Sequence, residues 1–371
     1  MTLALREMRR RPGRFAIATV ILTLIAILLM FLGGLLDGLV ASSTGAFRSQ
    51  QADLLVYSTS SRNSLERSRI TPEVRQQVET VPGVARVGGL GSVQLGGRVP
   101  GRGPRDLVPT VLFGYELASR GLPAMPPAMG TVYADDSLRA SNVTIGTTIH
   151  LGPARSAVTV AGFVSDTRYS GQGTLWGSLD TWRQVLNANR PDARVGPGVV
   201  QALVVRSGPG GTTGLPARIG QATGGAATAL TIAQAIDALP GVAQQRSVFN
   251  QIIGVTVVIA VVVVALFFAL LTVERTALYG VLKAIGSSSR TLFAGVVLQA
   301  VIVALIASLI GIVASLVLDA LIPPGTIPFV ATPVRLAASA VILVVAAVIG
   351  CTFSLRRVLR IDPAAAIGGT P

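Results

Sequence analysis

Side-chain chemistry at neutral pH draws mainly on histidine, cysteine, lysine and paired carboxylates, and this chain is almost without the first three. Its 371 residues hold one histidine, His150, one cysteine, Cys351, and one lysine, Lys283. A single histidine rules out HExxH and every two-histidine metal site, and a single cysteine rules out an internal disulfide and a multi-cysteine metal site. Lys283 is followed by Ala284, whereas the P-loop pattern needs a Lys followed by Ser or Thr, so no nucleotide is bound by that route. His150 closes a β-rich run and reads as a surface or packing residue; Cys351 reads as a small packed residue inside an apolar run. No catalytic residue, metal ligand or bound cofactor is assigned to this chain.

The one polar cluster with a regular pattern surrounds Lys283, in the stretch Thr272 to Arg290, TVERTALYGVLKAIGSSSR, which separates two long apolar runs. Leu278, Val281, Leu282 and Ile285 stand at i, i+3, i+4 and i+7, one face of a helix, while Arg275, Tyr279 and Lys283 repeat along another. Gly286 suits the left-handed stop of that helix, and Ser287 to Ser289 offer an oxygen cap to the next. An apolar stripe with a basic flank is chemistry for docking, not for bond breaking.

The elements that must hold this stretch are membrane spans. Half of the residues are hydrophobic and only 13% are charged, against about 25% in an ordinary soluble domain. The net charge is +14, but the basic residues gather at the ends of apolar runs and aromatics are only 5%, which argues against nucleic acid. The run from Phe15 to about Leu36 covers about 33 Å as a helix, enough to cross a bilayer and too long for a signal-peptide core. The expected layout is a cytoplasmic N-terminal amphipathic segment at 1–14, spans at 15–40, 249–273, 291–318 and 334–355, a cytoplasmic loop at 274–290, an external loop at 319–333 and a cytoplasmic tail at 356–371. Arginines 6, 9, 10, 11 and 14, then Arg275, Lys283 and Arg290, then Arg356, Arg357 and Arg360 flank the spans on one side, so the positive-inside rule puts both termini and the 274–290 loop in the cytoplasm. The segment 41–248 is then extracytoplasmic. The protein is expected to be a multi-pass protein of the bacterial cytoplasmic (inner) membrane.

No span carries a Lys, Arg, Asp or Glu near its centre, which disfavours an ion channel or a proton-coupled carrier. Small residues recur instead: Ala300, Ala304 and Ser308, then Ala307, Gly311 and Ser315, with Gly34 and Gly38 in the first span and Ala346 and Gly350 in the fourth. Such stripes let helices approach closely in lipid, within one chain or between two copies. The outer segment has short β-rich runs at Leu54 to Tyr57, Val108 to Phe113, Val143 to Leu151, Val158 to Val164 and Val199 to Val205. Helices are expected after Thr71-Pro72, after Ser178 or Asp180, and after the capping box Thr231/Gln234. Val81-Pro82-Gly83-Val84-Ala85 recurs as Leu239-Pro240-Gly241-Val242-Ala243, which points to two related halves, with 96–130 and 207–229 as inserted loops or a second lobe. From Asp37 to Asn250 the chain holds 19 arginines against 13 carboxylates, and Arg98, Arg102 and Arg105 cluster in a Gly/Pro-rich loop that reads as solvated surface. The fold class is thus membrane α-helical, four transmembrane helices with an α+β extracytoplasmic domain inserted between the first and second.

This layout resembles the MacB/FtsX-like permeases of ABC systems, the type VII or mechanotransmission transporters. The resemblance rests on Glu274-Arg275 with Leu282-Lys283-Ala284-Ile285-Gly286-Ser287, on the small-residue third span with Gly311, on the N-terminal LALREMRRRPGRF, and on Arg360-Ile361-Asp362-Pro363-Ala364. Gln299 departs from the pattern, standing where many relatives carry an acid. The size of the outer domain, with Val160-Ala161-Gly162-Phe163 and Ser178-Leu179-Asp180-Thr181-Trp182, is more similar to MacB, lipoprotein-release and DevC-type permeases than to cell-division FtsX. The resemblance implies a homodimer, or pairing with a related permease, on a cytoplasmic ABC ATPase dimer that binds ATP and Mg, with membrane lipid around it and a membrane-fusion or periplasmic protein as a further partner. It makes Glu274, Arg275, Leu278, Tyr279, Val281, Leu282, Lys283, Ile285 and Gly286 a coupling helix for that ATPase. The implied function is export or extraction of a lipid, lipoprotein, peptide or drug-like substrate; the alternatives are an FtsX-like regulator of a cell-wall hydrolase or signalling complex, and a membrane-anchored binding protein.

Overall fold

The computed structural model describes residues 12–103, 105–274, 289–322 and 327–358. In chain order the helices are α1 (Pro12–Arg48), α2 (Pro72–Glu79), α3 (Leu179–Asn189), α4 (Leu215–Ala222), α5 (Ile232–Asp237), α6 (Val242–Val273), α7 (Ser289–Leu321) and α8 (Pro333–Val358). The strands are β1 (Leu54–Ser58), β2 (Val84–Arg98), β3 (Val108–Tyr115), β4 (Thr131–Asp135), β5 (Thr148–Leu151), β6 (Ser156–Val164), β7 (Gly173–Ser178), β8 (Ala202–Ser207) and β9 (Ala227–Thr231). The chain divides into a helical unit, Met1–Gly38 with Arg246–Pro371, and an outer unit, Leu39–Gln245; both divisions fall inside helices, α1 and α6.

In the helical unit, α1, α6, α7 and α8 are each long and apolar enough to cross a membrane. They share one core, in which Leu22 and Ala26 of α1, Ala260, Val264 and Phe268 of α6, Ala300, Val303 and Ala304 of α7, and Leu343 and Ala347 of α8 are buried. The start of α8 follows from local chemistry: the Thr332 hydroxyl accepts from Arg335 N at 3.3 Å, and Pro333 supplies the first turn, where a missing N–H costs nothing.

The outer unit is organised by β2, a 15-residue strand that pairs with β3, with β8 and, at Gly97–Arg98, with β5. Strands β2, β3, β7, β4, β6 and β5 form a hydrogen-bonded circuit that returns to β2, and β8, β1 and β9 extend the sheet from the near half of β2. The β3/β7 and β4/β6 pairs are parallel; the others are antiparallel. One face of the circuit, with Val93, Leu95, Leu112, Val132, Ile149, Val158 and Leu175, forms a core with α3. The opposite face, with Leu90, Val111, Phe113, Tyr115 and Trp176, forms a second core with Ala46 and Phe47.

Several sequence expectations change here. The segment 96–130, expected as an inserted loop or a second lobe, holds the end of β2 and all of β3. The segment 207–229 holds α4 and the start of β9, and the strand expected from Val143 begins only at Thr148, because Gly146 turns the chain at φ +84°. The repeated Pro-Gly motifs agree in punctuation alone: Gly83 and Gly241 are both left-handed, at φ +97° and +86°, but Val84 opens a strand and Val242 opens α6. Gln244, Gln245 and Arg246 favour a helix after the second motif, where Gly88 and Gly89 disfavour one after the first. The capping box Thr231/Gln234 is formed in both directions, at 3.2 and 3.0 Å, and Ser178 Oγ accepts from Thr181 N at 3.2 Å to start α3. Thr71 makes no such cap; its hydroxyl bonds the Glu73 carboxyl and holds it below the usual carboxylate range.

Candidate functional site

Of the residues expected to couple to an ATPase, Glu274 is exposed at the turn that ends α6. Arg275, Leu278, Tyr279, Val281, Leu282, Lys283, Ile285 and Gly286 lie outside the described residues. On either side of that stretch, Phe268 and Leu271 of α6 and Val296 of α7 belong to the same buried cluster.

The small-residue stripe of α7 is an internal contact. Ala300, Ala304 and Ala307 have no exposed surface, and Ser308 and Ser315 are 2% exposed. A Cβ at Gly311 would stand 3.0 Å from Ala26 Cβ and 3.2 Å from Met30 Sδ of α1. These residues are therefore covered within one chain. Gly350 brings α8 onto the backbone of α6, where a Cβ would stand 2.5 Å from the Val261 carbonyl oxygen. All four long helices also leave apolar residues open, among them Val20 and Leu24 on α1, Val255 and Leu266 on α6, Leu309 and Val313 on α7, and Val341 and Phe353 on α8.

One constellation in the helical unit escaped sequence reasoning. Gly33, Gly34, Asp37 and Gly38 of α1 form a notch for the segment 327–335. Gly33 lies under the Arg335 side chain, Gly34 under the Phe329 ring, and Gly38 against the Pro328 carbonyl. Arg335 donates to both oxygens of Asp37, at 3.0 and 2.5 Å, Thr332 Oγ1 donates to Asp37 at 3.2 Å, and Val330 N donates to Gly34 O at 3.1 Å. The signal available in the sequence was an acid at the end of one apolar run and an arginine at the start of another. Their separation of 298 residues hid the pairing.

In the outer unit, the wholly buried Trp182 of α3 lies over a floor of glycines. Gly91 of β2 pairs with Gly114 of β3, and Gly114 pairs with Gly177 of β7. A Cβ at Gly91 would run into the indole ring, and one at Gly114 would stand 2.6 Å from Trp182 Cβ. The Trp182 indole N–H has no hydrogen-bond partner, so this side chain is placed for its shape. On the other face, Phe47, Tyr169, Phe113, Trp176 and Tyr115 form a chain of ring contacts with centroids 4.6 to 6.1 Å apart. Burial pushes the phenols of Tyr57 and Tyr169 up and that of Tyr115 to about 12, so all three are protonated at neutral pH.

The polar side chains of the described residues are arranged for structure. Asp135, 2% exposed, accepts from Ser137 N and Oγ and from Thr167 N and Oγ1 at 2.6 to 3.0 Å, a satisfied buried carboxylate. His150 is exposed and faces Arg98 across the β2/β5 pair, and Cys351 is buried. Among the described residues no group of three His, Cys, Asp or Glu side chains could hold a metal ion.

Comparison with known proteins shows what this arrangement is similar to. Residues 250–363 match the FtsX-like permease C-terminal family. An uncharacterized ABC transporter permease of Mycobacterium tuberculosis is 41% identical over 116 residues, a stretch covering 30% of this chain and 31% of that relative. A second uncharacterized ABC transporter permease of the same organism is 27% identical over 376 residues, 99% of each chain. A putative hemin transport system permease protein, HrtB, of Staphylococcus haemolyticus is 19% identical over 377 residues, 100% of this chain and 99% of the relative. Among solved structures, the periplasmic region of MacB from Actinobacillus actinomycetemcomitans aligns at 12% identity with a TM-score of 0.36, over 49% of this chain and 90% of that one. The extracellular domain of the transporter YknZ from Gram-positive bacteria aligns at 10% identity with a TM-score of 0.33, over 48% of this chain and 100% of that one. Residues 250–363 are thus similar to the C-terminal domain of the FtsX-like permeases, and the Mycobacterium tuberculosis relative that aligns over nearly the whole chain is an ABC transporter permease.

Proposed function

We propose that this chain is the transmembrane subunit of an ABC assembly in which a separate ATPase binds ATP and Mg in the cytoplasm and moves the outer unit on the far side of the membrane. The observation that carries the reading is the match at 250–363, which contains the amphipathic stretch Glu274 to Gly286, in a chain that has no P-loop of its own. In this reading the apolar stripe Leu278, Val281, Leu282 and Ile285 lies in a groove of the ATPase, with Arg275 and Lys283 at its rim. The arginine distribution supports a cytoplasmic side for both termini and the 274–290 loop. Two copies, or this chain and a related one, stand on an ATPase dimer.

The described spans carry no ionisable side chain near their centres, so cargo is handled by the outer unit and not by a polar path through the helices. The substrate class is an amphiphile taken from the outer leaflet or the outer compartment: a lipid, lipoprotein, peptide or drug-like molecule. Hemin, named for the Staphylococcus relative, falls in the same class. Purification from its own membranes into nanodiscs, followed by native mass spectrometry, tests the assembly. The expected mass contains this chain with an ATPase subunit that carries a P-loop; a particle of this chain alone, under conditions that preserve other ABC complexes, overturns the reading.

A further inference from the structure

The last two turns of α1 are gripped by a strap that no sequence motif announces. Residues 165–172, the short connection between β6 and β7, run alongside Ser42 to Arg48. Ser170 N donates to Ser43 O at 3.1 Å, Gly171 N donates to Ser42 O at 3.1 Å, and Ala46 N donates to Arg168 O at 3.1 Å. Backbone of a loop bonding to backbone of a helix requires the helix to be nearly bare there, and Ser42-Ser43-Thr44-Gly45-Ala46 is a run of small residues. Gly45 is the tightest point: a Cβ would stand 2.8 Å from both Arg168 N and Asp166 O. Arg48 closes the strap with a two-pronged bond to Asp166, at 2.7 and 3.0 Å, while its Nε donates to Thr44 Oγ1 at 3.1 Å.

The strap is fastened just as firmly to the sheet. Thr167 donates from N and Oγ1 to the buried Asp135 at the end of β4, at 2.9 and 2.7 Å. Tyr169 packs its ring on Phe47 of α1 and on Phe113 of β3, with centroids 5.4 and 5.3 Å away. Asp166 and Ser170 hold left-handed backbone, φ 56° and 50°, which non-glycine residues adopt only where surrounding contacts impose it. Four strands of the circuit, β3, β4, β6 and β7, are thus tied to one helix end.

We propose that this strap is a mechanical joint: movement of the first membrane-spanning helix is delivered from its end at Ser42 to Arg48 to the sheet of the outer unit through residues 165–172, with Gly45 seating the joint and Arg48–Asp166 latching it. The inference rests on the proposed function, and it assigns Gly45, Arg48, Asp135, Asp166 and Thr167 as positioning residues for transmission.

The test uses the full chain with its ATPase in nanodiscs, Cys351→Ala, with spin labels at Met125→Cys in the outer unit and Leu321→Cys at the end of α7. The distance between labels is read with and without a non-hydrolysable ATP analogue, beside ATPase stimulation and tryptophan fluorescence as a check on folding. The expected result is a nucleotide-dependent shift in the parent chain. Gly45→Val is expected to reduce that shift at least threefold, with stimulation held within twofold. Arg48→Asp and Asp166→Arg each shrink the shift, and the double reversal restores most of it, so the latch is tested even where Gly45→Val unfolds. A full shift in Gly45→Val, or double-reversal behaviour no better than the single changes, overturns the joint. No shift in the parent chain overturns instead the reading on which the joint rests.

Discussion

Both units of this protein are built on glycine, and they use it differently. In the helical unit Gly350 and Gly311 let one helix reach another's backbone or small side chains, so the missing side chain is the contact itself. In the outer unit Gly91 and Gly114 stand in register across β2 and β3 and clear a floor for one large side chain, Trp182. The first arrangement is close packing of equals in a medium where apolar burial gives little drive. The second is a hole filled by a wedge in water, where the hydrophobic effect rewards the fit. Mutations should therefore separate the units by kind of damage as well as by size.

The largest expected effect is at the wedge. Trp182→Ala removes a wholly buried indole over glycines that cannot fill the space, and should destabilise the outer unit by about 3–5 kcal/mol. Trp176 and Trp182 are the chain's two tryptophans and both belong to the outer unit, so the fluorescence of Trp176 in the full-length variant reports that unit alone. A clearly lower midpoint in denaturant is expected, and an unchanged midpoint would break the wedge half of the comparison. Next comes Gly350→Leu, which forces a side chain against the Val261 carbonyl and should cost about 1–3 kcal/mol in helix packing. It should shorten the survival of the protein in detergent while leaving the tryptophan midpoint in place; a shift of that midpoint would show that the two units unfold together. The smallest is Thr231→Ala, which removes the two-way cap of α5 at a cost of about 1 kcal/mol and should lower the tryptophan midpoint slightly.

The same contrast explains what could be read from the chain beforehand. The spans are legible because more than twenty apolar residues in a row have few alternatives, and the arginines beside them give a side. The caps at Ser178 and Thr231 are legible because their partners lie three residues away. Strand β2 was not, because Gly88, Gly89, Gly91, Gly96 and Gly97 look like punctuation until Trp182 is known to lie against Gly91. The notch at Asp37 and the strap on Ser42 to Arg48 failed for the same physical reason. In each, small residues mark a place where distant chain arrives, and the sequence near them carries no trace of what arrives. The stripe on α7 was legible as packing, but nothing in its spacing distinguishes a neighbour in the same chain from a second copy.

The central claim is that force enters through the amphipathic stretch between α6 and α7. Its most direct test is the ATPase rate of the partner subunit in nanodiscs with this chain as wild type, Leu282→Asp or Ile285→Asp. A charge placed in the docking stripe should abolish stimulation while membrane insertion and the tryptophan midpoint of the outer unit stay unchanged. Stimulation equal to wild type in both variants would contradict the account.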